Sequence, residues 1–86
     1  MDKKIAIISC ILENPTTIQN EFNKIVSQFK NIIKGRMGIP FNNENISVIS
    51  ITVVATLDEI NSFTGKLGLL NDVLVKTAIS KKSIND

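Results

Sequence analysis

The chain has 86 residues, 43% hydrophobic and 21% charged, with ten Lys+Arg against eight Asp+Glu for a net charge of +2. That length suits one domain spanning residues 1–86 and is too short for two, and its richness in Ile, Val and Leu excludes a disordered polar chain. A single cysteine, Cys10, excludes an internal disulfide framework, and the lack of any histidine removes the commonest general base and metal ligand.

Taken in chain order, Lys3–Leu12 reads as a strand apolar on both faces, with Ile5, Ile7 and Ile11 on one side and Ala6, Ile8, Cys10 and Leu12 on the other. Such a pattern belongs to a central strand. Asn14-Pro15 predicts a helix start, Asn as the capping acceptor and Pro at the first helical position. Ile18, Phe22, Ile25, Val26 and Phe29 then recur on one helical face. Ile32–Ile39 predicts a short edge strand whose Gly35 and Gly38 allow a bulge or a close approach, with Pro40 ending it. Asn42–Asn45 is a turn.

Ile46–Ala55 is the strongest strand, apolar on both sides apart from Ser50 and Thr52. Thr56-Leu57-Asp58-Glu59 is a capping box. The helix it starts buries Ile60, Phe63 and Leu67, with Gly68 as a left-handed cap. Asp72–Ile79 predicts the last strand, and Ser80–Asp86 a frayed tail beyond a core of residues 3–79.

The order β-α-β-β-α-β implies an α+β, ferredoxin-like sandwich: a four-stranded antiparallel sheet with two helices on one face. Parity then sends Ile8, Cys10, Ile49, Ile51, Val53, Val73 and Val75 to the helices. The opposite face presents Ile5, Ile7, Ile11, Val48 and Val54 around Ser9, Ser50, Thr52 and Lys76. That much apolar surface exceeds what a soluble monomer ordinarily exposes, so these five residues are the expected interface of a homo-oligomer, a dimer or tetramer.

Chemistry has few carriers. Glu59 is used by the capping box, and Glu13 and Glu44 fall in turns. Cys10 reads as a core thiol with no histidine to activate it. One Cys and scattered carboxylates give no metal site, so no enzyme activity, metal or cofactor is expected. Nine lysines spread from Lys3 to Lys82 and one arginine do not make the concentrated basic face of a nucleic-acid binder. No stretch approaches the roughly 20 apolar residues of a membrane helix. Lys3-Lys4 with Ile5–Leu12 lacks the small-residue cleavage site of a secretory signal, and the cytoplasm is the expected compartment.

Two glycine-bearing segments remain. Gly35-Arg36-Met37-Gly38-Ile39-Pro40 carries the lone arginine, suited to a carboxylate ligand or an intersubunit ion pair, or else simply solvated at an edge. In Thr64-Gly65-Lys66-Leu67-Gly68 the glycines read as helix–sheet packing at Gly65 and a cap at Gly68.

These two blocks, with Glu44-Asn45 and Val73-Leu74-Val75-Lys76-Thr77, resemble the small bacterial family of iron-only hydrogenase system regulators across about Lys4 to Ile79. The resemblance implies a ferredoxin-like domain akin to ACT domains and to the C-terminal sensor domain of the nickel-responsive regulator. It also implies dimers or tetramers and an association with iron-only hydrogenase maturation in anaerobes. Nickel sensing does not carry over, because this sequence has no histidine. The expectation is a non-enzymatic regulatory domain, binding a small anionic or amino-acid-like effector near Arg36, Gly38 and Pro40 and Thr64, Gly65, Lys66 and Gly68. The alternative is a purely structural homo-oligomeric module.

Overall fold

The computed structural model describes residues 2–85. Its elements are β1 (Lys3–Leu12), α1 (Pro15–Gln28), β2 (Ile33–Phe41), β3 (Ile46–Ala55), α2 (Leu57–Gly68) and β4 (Val73–Ile84), with 3-10 turns at Lys30–Ile32 and Asn42–Glu44. The strands form one antiparallel sheet in the order β2-β3-β1-β4. The expected α+β ferredoxin-like arrangement is therefore the one adopted, and the two strands apolar on both faces, β1 and β3, are the central pair.

The core lies between this sheet and the helices. From the strands it takes Ala6, Ile8, Cys10, Leu12, Ile49, Ile51, Val53, Ala55 and Val73; from the helices it takes Ile18, Phe22, Val26, Ile60, Phe63 and Leu67. All buried side chains among the described residues are apolar. Each of the large ones contributes roughly 1.5–3 kcal/mol by leaving water. Phe29 stacks on Phe63 with centroids 4.6 Å apart, tying the end of α1 to the middle of α2.

Local sequence explains most boundaries. At α2 the capping box forms as expected: the Glu59 amide donates to Thr56 Oγ1 at 3.2 Å, and the Thr56 amide donates to Glu59 Oε1 at 2.9 Å. The Thr56 amide, together with Thr56 Oγ1 donating to the same Glu59 oxygen at 3.0 Å, holds the Glu59 carboxyl below the usual carboxylate range. At α1, Pro15 takes the first position as expected, but the Asn14 side chain does not cap. Its Oδ1 instead accepts from Thr16 Oγ1 at 3.1 Å and from Asn45 Nδ2 at 2.8 Å. Asn45, left-handed at φ 53°, has turned its amide toward it.

Three other expectations are corrected. Gly68 is not a left-handed cap, since no described glycine has positive φ; α2 ends on Leu69 at φ −80°. The reversal is made further on, at Asp72 with φ 62°. Pro40 does not end β2, which continues to Phe41 with Pro40 opposite Ser47. An edge strand tolerates a residue without an amide proton, and of the two roles open to the glycines a break in register is seen, between Ile33 and Gly35. Residues 80–84, read as frayed, complete β4: after a bulge opposite Ile5, Ser83 and Ile84 pair with Lys4 and Lys3. Ser80 Oγ, accepting from the Ile5 amide at 3.1 Å, bridges that bulge. Asp86 lies outside the described residues.

Candidate functional site

The helices cover one face of the sheet, and the strand register places the other face row by row. Near the end formed by Leu12 and Val73, Ile39, Val48, Ile11 and Leu74 lie side by side across all four strands. Next come Met37, Ser50, Ser9 and Lys76, then Gly35, Thr52, Ile7 and Ala78, and last Val54 beside Ile5. Phe41, paired with Ile46, extends the first row's apolar surface. Among the described residues, seven of the ten exposed large apolar side chains belong to this face: Ile5, Ile7, Ile11, Met37, Ile39, Phe41 and Leu74. Met37 is 65% exposed and Leu74 53%.

Sequence parity placed Ile5, Ile7, Ile11, Val48 and Val54 on this face and missed Met37, Ile39, Phe41 and Leu74. The signal was available: Gly35, Met37, Ile39 and Phe41 alternate with period two, provided the strand is carried through Pro40.

The remaining expected site residues lie in the helical layer, in two places. Arg36, Gly38 and Pro40 share the helix-facing side of β2. Arg36 Nη2 donates to Asn23 Oδ1 at 3.0 Å, with the guanidinium 5.8 Å from the Phe22 ring centroid. A Cβ on Gly38 would just touch Ile49. Thr64, Gly65, Lys66 and Gly68 occupy the last turns of α2. Thr64 Oγ1 donates to the Asn61 carbonyl, and Lys66 Nζ reaches Gln28 Oε1 at 3.5 Å and lies 5.4 Å from the Phe29 centroid. Gly65 and Gly68 both face open space, so helix–sheet packing does not explain Gly65. Thus Arg36 meets α1 from the β2 side, and Lys66 meets the end of α1 from the α2 side.

Pro40 also lines a cleft of about 400 Å³ where the first turns of α1 (Pro15, Thr16, Gln19) meet the β2–β3 turn (Phe41, Asn42, Asn45). Cys10 is fully buried, and burial pushes its thiol up to about 11, against a smaller opposing effect of the Arg36 charge. A thiol so placed is packing material, not a nucleophile. Among the described residues no three His, Cys, Asp or Glu side chains gather closely enough to hold a metal ion. No helix among them is long and apolar enough to cross a membrane.

Residues 4–77 match the model of the TM1266-like family, described as "Iron-only hydrogenase system regulator, putative". The chain belongs to this family. The resemblance carried by the two glycine-bearing blocks therefore holds over nearly the whole fold. Among solved structures, the chain is similar to uncharacterized protein TM1266 from Thermotoga maritima, with a TM-score of 0.87 and 29% identity over 92% of this chain and 99% of that one. No curated protein sequence matches.

Proposed function

We propose that this member of the regulator family is a non-catalytic, cytoplasmic regulatory domain that joins copies of itself through the uncovered sheet face. The observation that carries the reading is the concentration of exposed apolar side chains on that face. Four strands about 4.8 Å apart and some nine residues long at about 3.3 Å each give roughly 600 Å² in projection. Side-chain relief adds to that, bringing the accessible area near the roughly 800 Å² per partner of a standard interface. The central seam of Ser9, Ser50 and Thr52 gives the face polar points that select one register over a general stickiness. Light scattering at micromolar concentrations tests the reading: an oligomer is expected for the native chain, and a folded monomer for Ile7→Lys and for Val48→Lys. A native chain that stays monomeric at tens of micromolar refutes it.

A second reading, a small anionic or amino-acid-like effector, is favoured by the cleft beside Pro40, which adjoins one of the segments singled out in the sequence. Arg36 and the Thr64–Gly68 turns would then act on it from a distance, through α1. Ligand at 100 times its Kd stabilises the fold by about 2.7 kcal/mol. A thermal-shift panel of amino acids and small carboxylates should give a rise that Gln19→Ala diminishes; a flat panel removes this reading and leaves assembly untouched.

A further inference from the structure

Given that self-association, we infer that the second copy of this chain lies across the open face with its strands antiparallel to those of the first. Two independent properties of the face select this orientation over the parallel one.

The first is relief. Two sheets can stack by a half turn about an axis across the strands or about an axis along them. With the axis across the strands, between the Ser9 and Ile7 rows, Ser9 faces Ile7 of the partner subunit and Met37 faces Gly35 of the partner subunit. Lys76 then faces Ala78 of the partner subunit. Each contact sets a large side chain against a small one, the interdigitation by which packed layers reach native density. Ile11 meets Ile5 of the partner subunit, so the apolar row at one end of each sheet covers the sparser end of the other. With the axis along the strands, the Ile39–Val48–Ile11–Leu74 row would fall on its own copy, large upon large. Gly35 would fall opposite Ala78 of the partner subunit, and the sheets would be wedged apart at one end.

The second property is charge. Glu13 and Asp72 sit together at the Leu12 end of the sheet, the Glu13 amide donating to the Asp72 carbonyl at 2.7 Å. Glu44 is at the same end, in the turn between β2 and β3. Lys3, Lys4, Lys81 and Lys82 gather at the opposite end, where Lys4 Nζ donates to the Lys81 carbonyl at 2.6 Å. Asp2 precedes these lysines, and Asp58 and Glu59 open α2 on the helix-covered side of that end. Antiparallel stacking lays the acidic end of each copy over the basic end of the other; parallel stacking sets like charge over like, which costs affinity and selects against that register.

Thiol cross-linking decides between the two, with a bismaleimide of about 10 Å reach, because stacked sheets lie about 10 Å apart and a direct disulfide would not span them. Ile5→Cys and Ile11→Cys, made separately and distinguished by a mass tag, are mixed and treated with the reagent; the native Cys10 is buried and takes no part. The antiparallel arrangement predicts an Ile5→Cys/Ile11→Cys cross-link at several times the yield of either like pair. The like positions would be about 20 Å apart along the strands, beyond the span of the reagent. Like-with-like products in excess would overturn the orientation while leaving self-association intact. A dimer by light scattering that forms neither product would overturn the face-to-face placement. A monomer would overturn self-association as well.

Discussion

The two faces of the sheet are built from alternate residues of the same strands, and they are almost equally apolar. Along β1, Ala6, Ile8, Cys10 and Leu12 have no exposed surface, while Ile7 between them is 46% exposed. Nothing in β1 itself distinguishes Ile8 from Ile7; the difference comes from Phe22 and Phe63, which the helices bring over one side only. Apolarity thus serves two purposes within one strand. On the covered face it stabilises the fold, and on the open face it forms the exposed surface proposed above to meet a second copy.

The widest separation between the faces is expected from truncating a covered side chain. Phe63→Ala removes a fully buried ring that also stacks on Phe29, and should cost about 3–5 kcal/mol in denaturant unfolding. Ile7→Ala on the open face should cost the monomer well under about 1 kcal/mol. If both cost the same, the faces do not differ as described.

Next comes the cap that orients α2 over the covered face. Thr56→Ala should lower stability by about 1 kcal/mol. Native Glu59 is held ionised below its ordinary range, so its contribution is present above that range and is lost as the pH falls through the lowered value. Thr56→Ala should flatten this acid limb. Smaller and opposite in sign, Gly65→Ala should stabilise the protein by about 0.5–1 kcal/mol, because the position is inside a helix and a methyl there meets only open space.

The last prediction, confined to alkaline pH and absent at neutrality, concerns Cys10. The covered face keeps its thiol neutral up to about 11, against an ordinary value of 9.0. Its stabilising contribution is therefore complete below pH 9, where the unfolded thiol is also neutral, and falls as the pH rises from 9 towards 11. Chemical unfolding of native and Cys10→Ala chains across that range should show a steeper alkaline loss for the native one.

Much of this architecture was legible in the residues. β1 and β3 matched to the residue because each is a long apolar run closed by turn and capping residues, Glu13-Asn14-Pro15 after β1, Asn42–Asn45 before β3 and Thr56 after it. α2 matched at its start because Thr56 and Glu59 mark it. What escaped was whatever a distant strand decides. Ser80–Ile84 is polar and basic and has no strand signature of its own; it is extended because Lys3 and Lys4 offer an unpaired backbone beside it. Pro40 reads as a terminator, yet an edge lets the chain run through it. The Asn14 side chain bonds Asn45, far along the sequence, and Thr16 Oγ1, leaving the amides of its own helix uncapped. At the candidate site five members of the open face were found by parity; Met37, Ile39 and Phe41 follow by the same alternation once β2 is carried through Pro40, and Leu74 lies two residues from Lys76 on the same side of β4.

The pairing of Lys3 with Ile84 also bears on how the molecule comes to be folded. β1 finds its neighbours in β3 and β4, so nearly every ladder bond of the central strand spans a large stretch of chain. Such non-local pairing slows folding relative to helical bundles of the same size. In synthesis β1 precedes both of its neighbours and waits for the last of them until β4 has emerged. During that interval Lys3 and Lys4 are the only charges in β1, and they supply the repulsion that keeps one nascent strand from pairing with another.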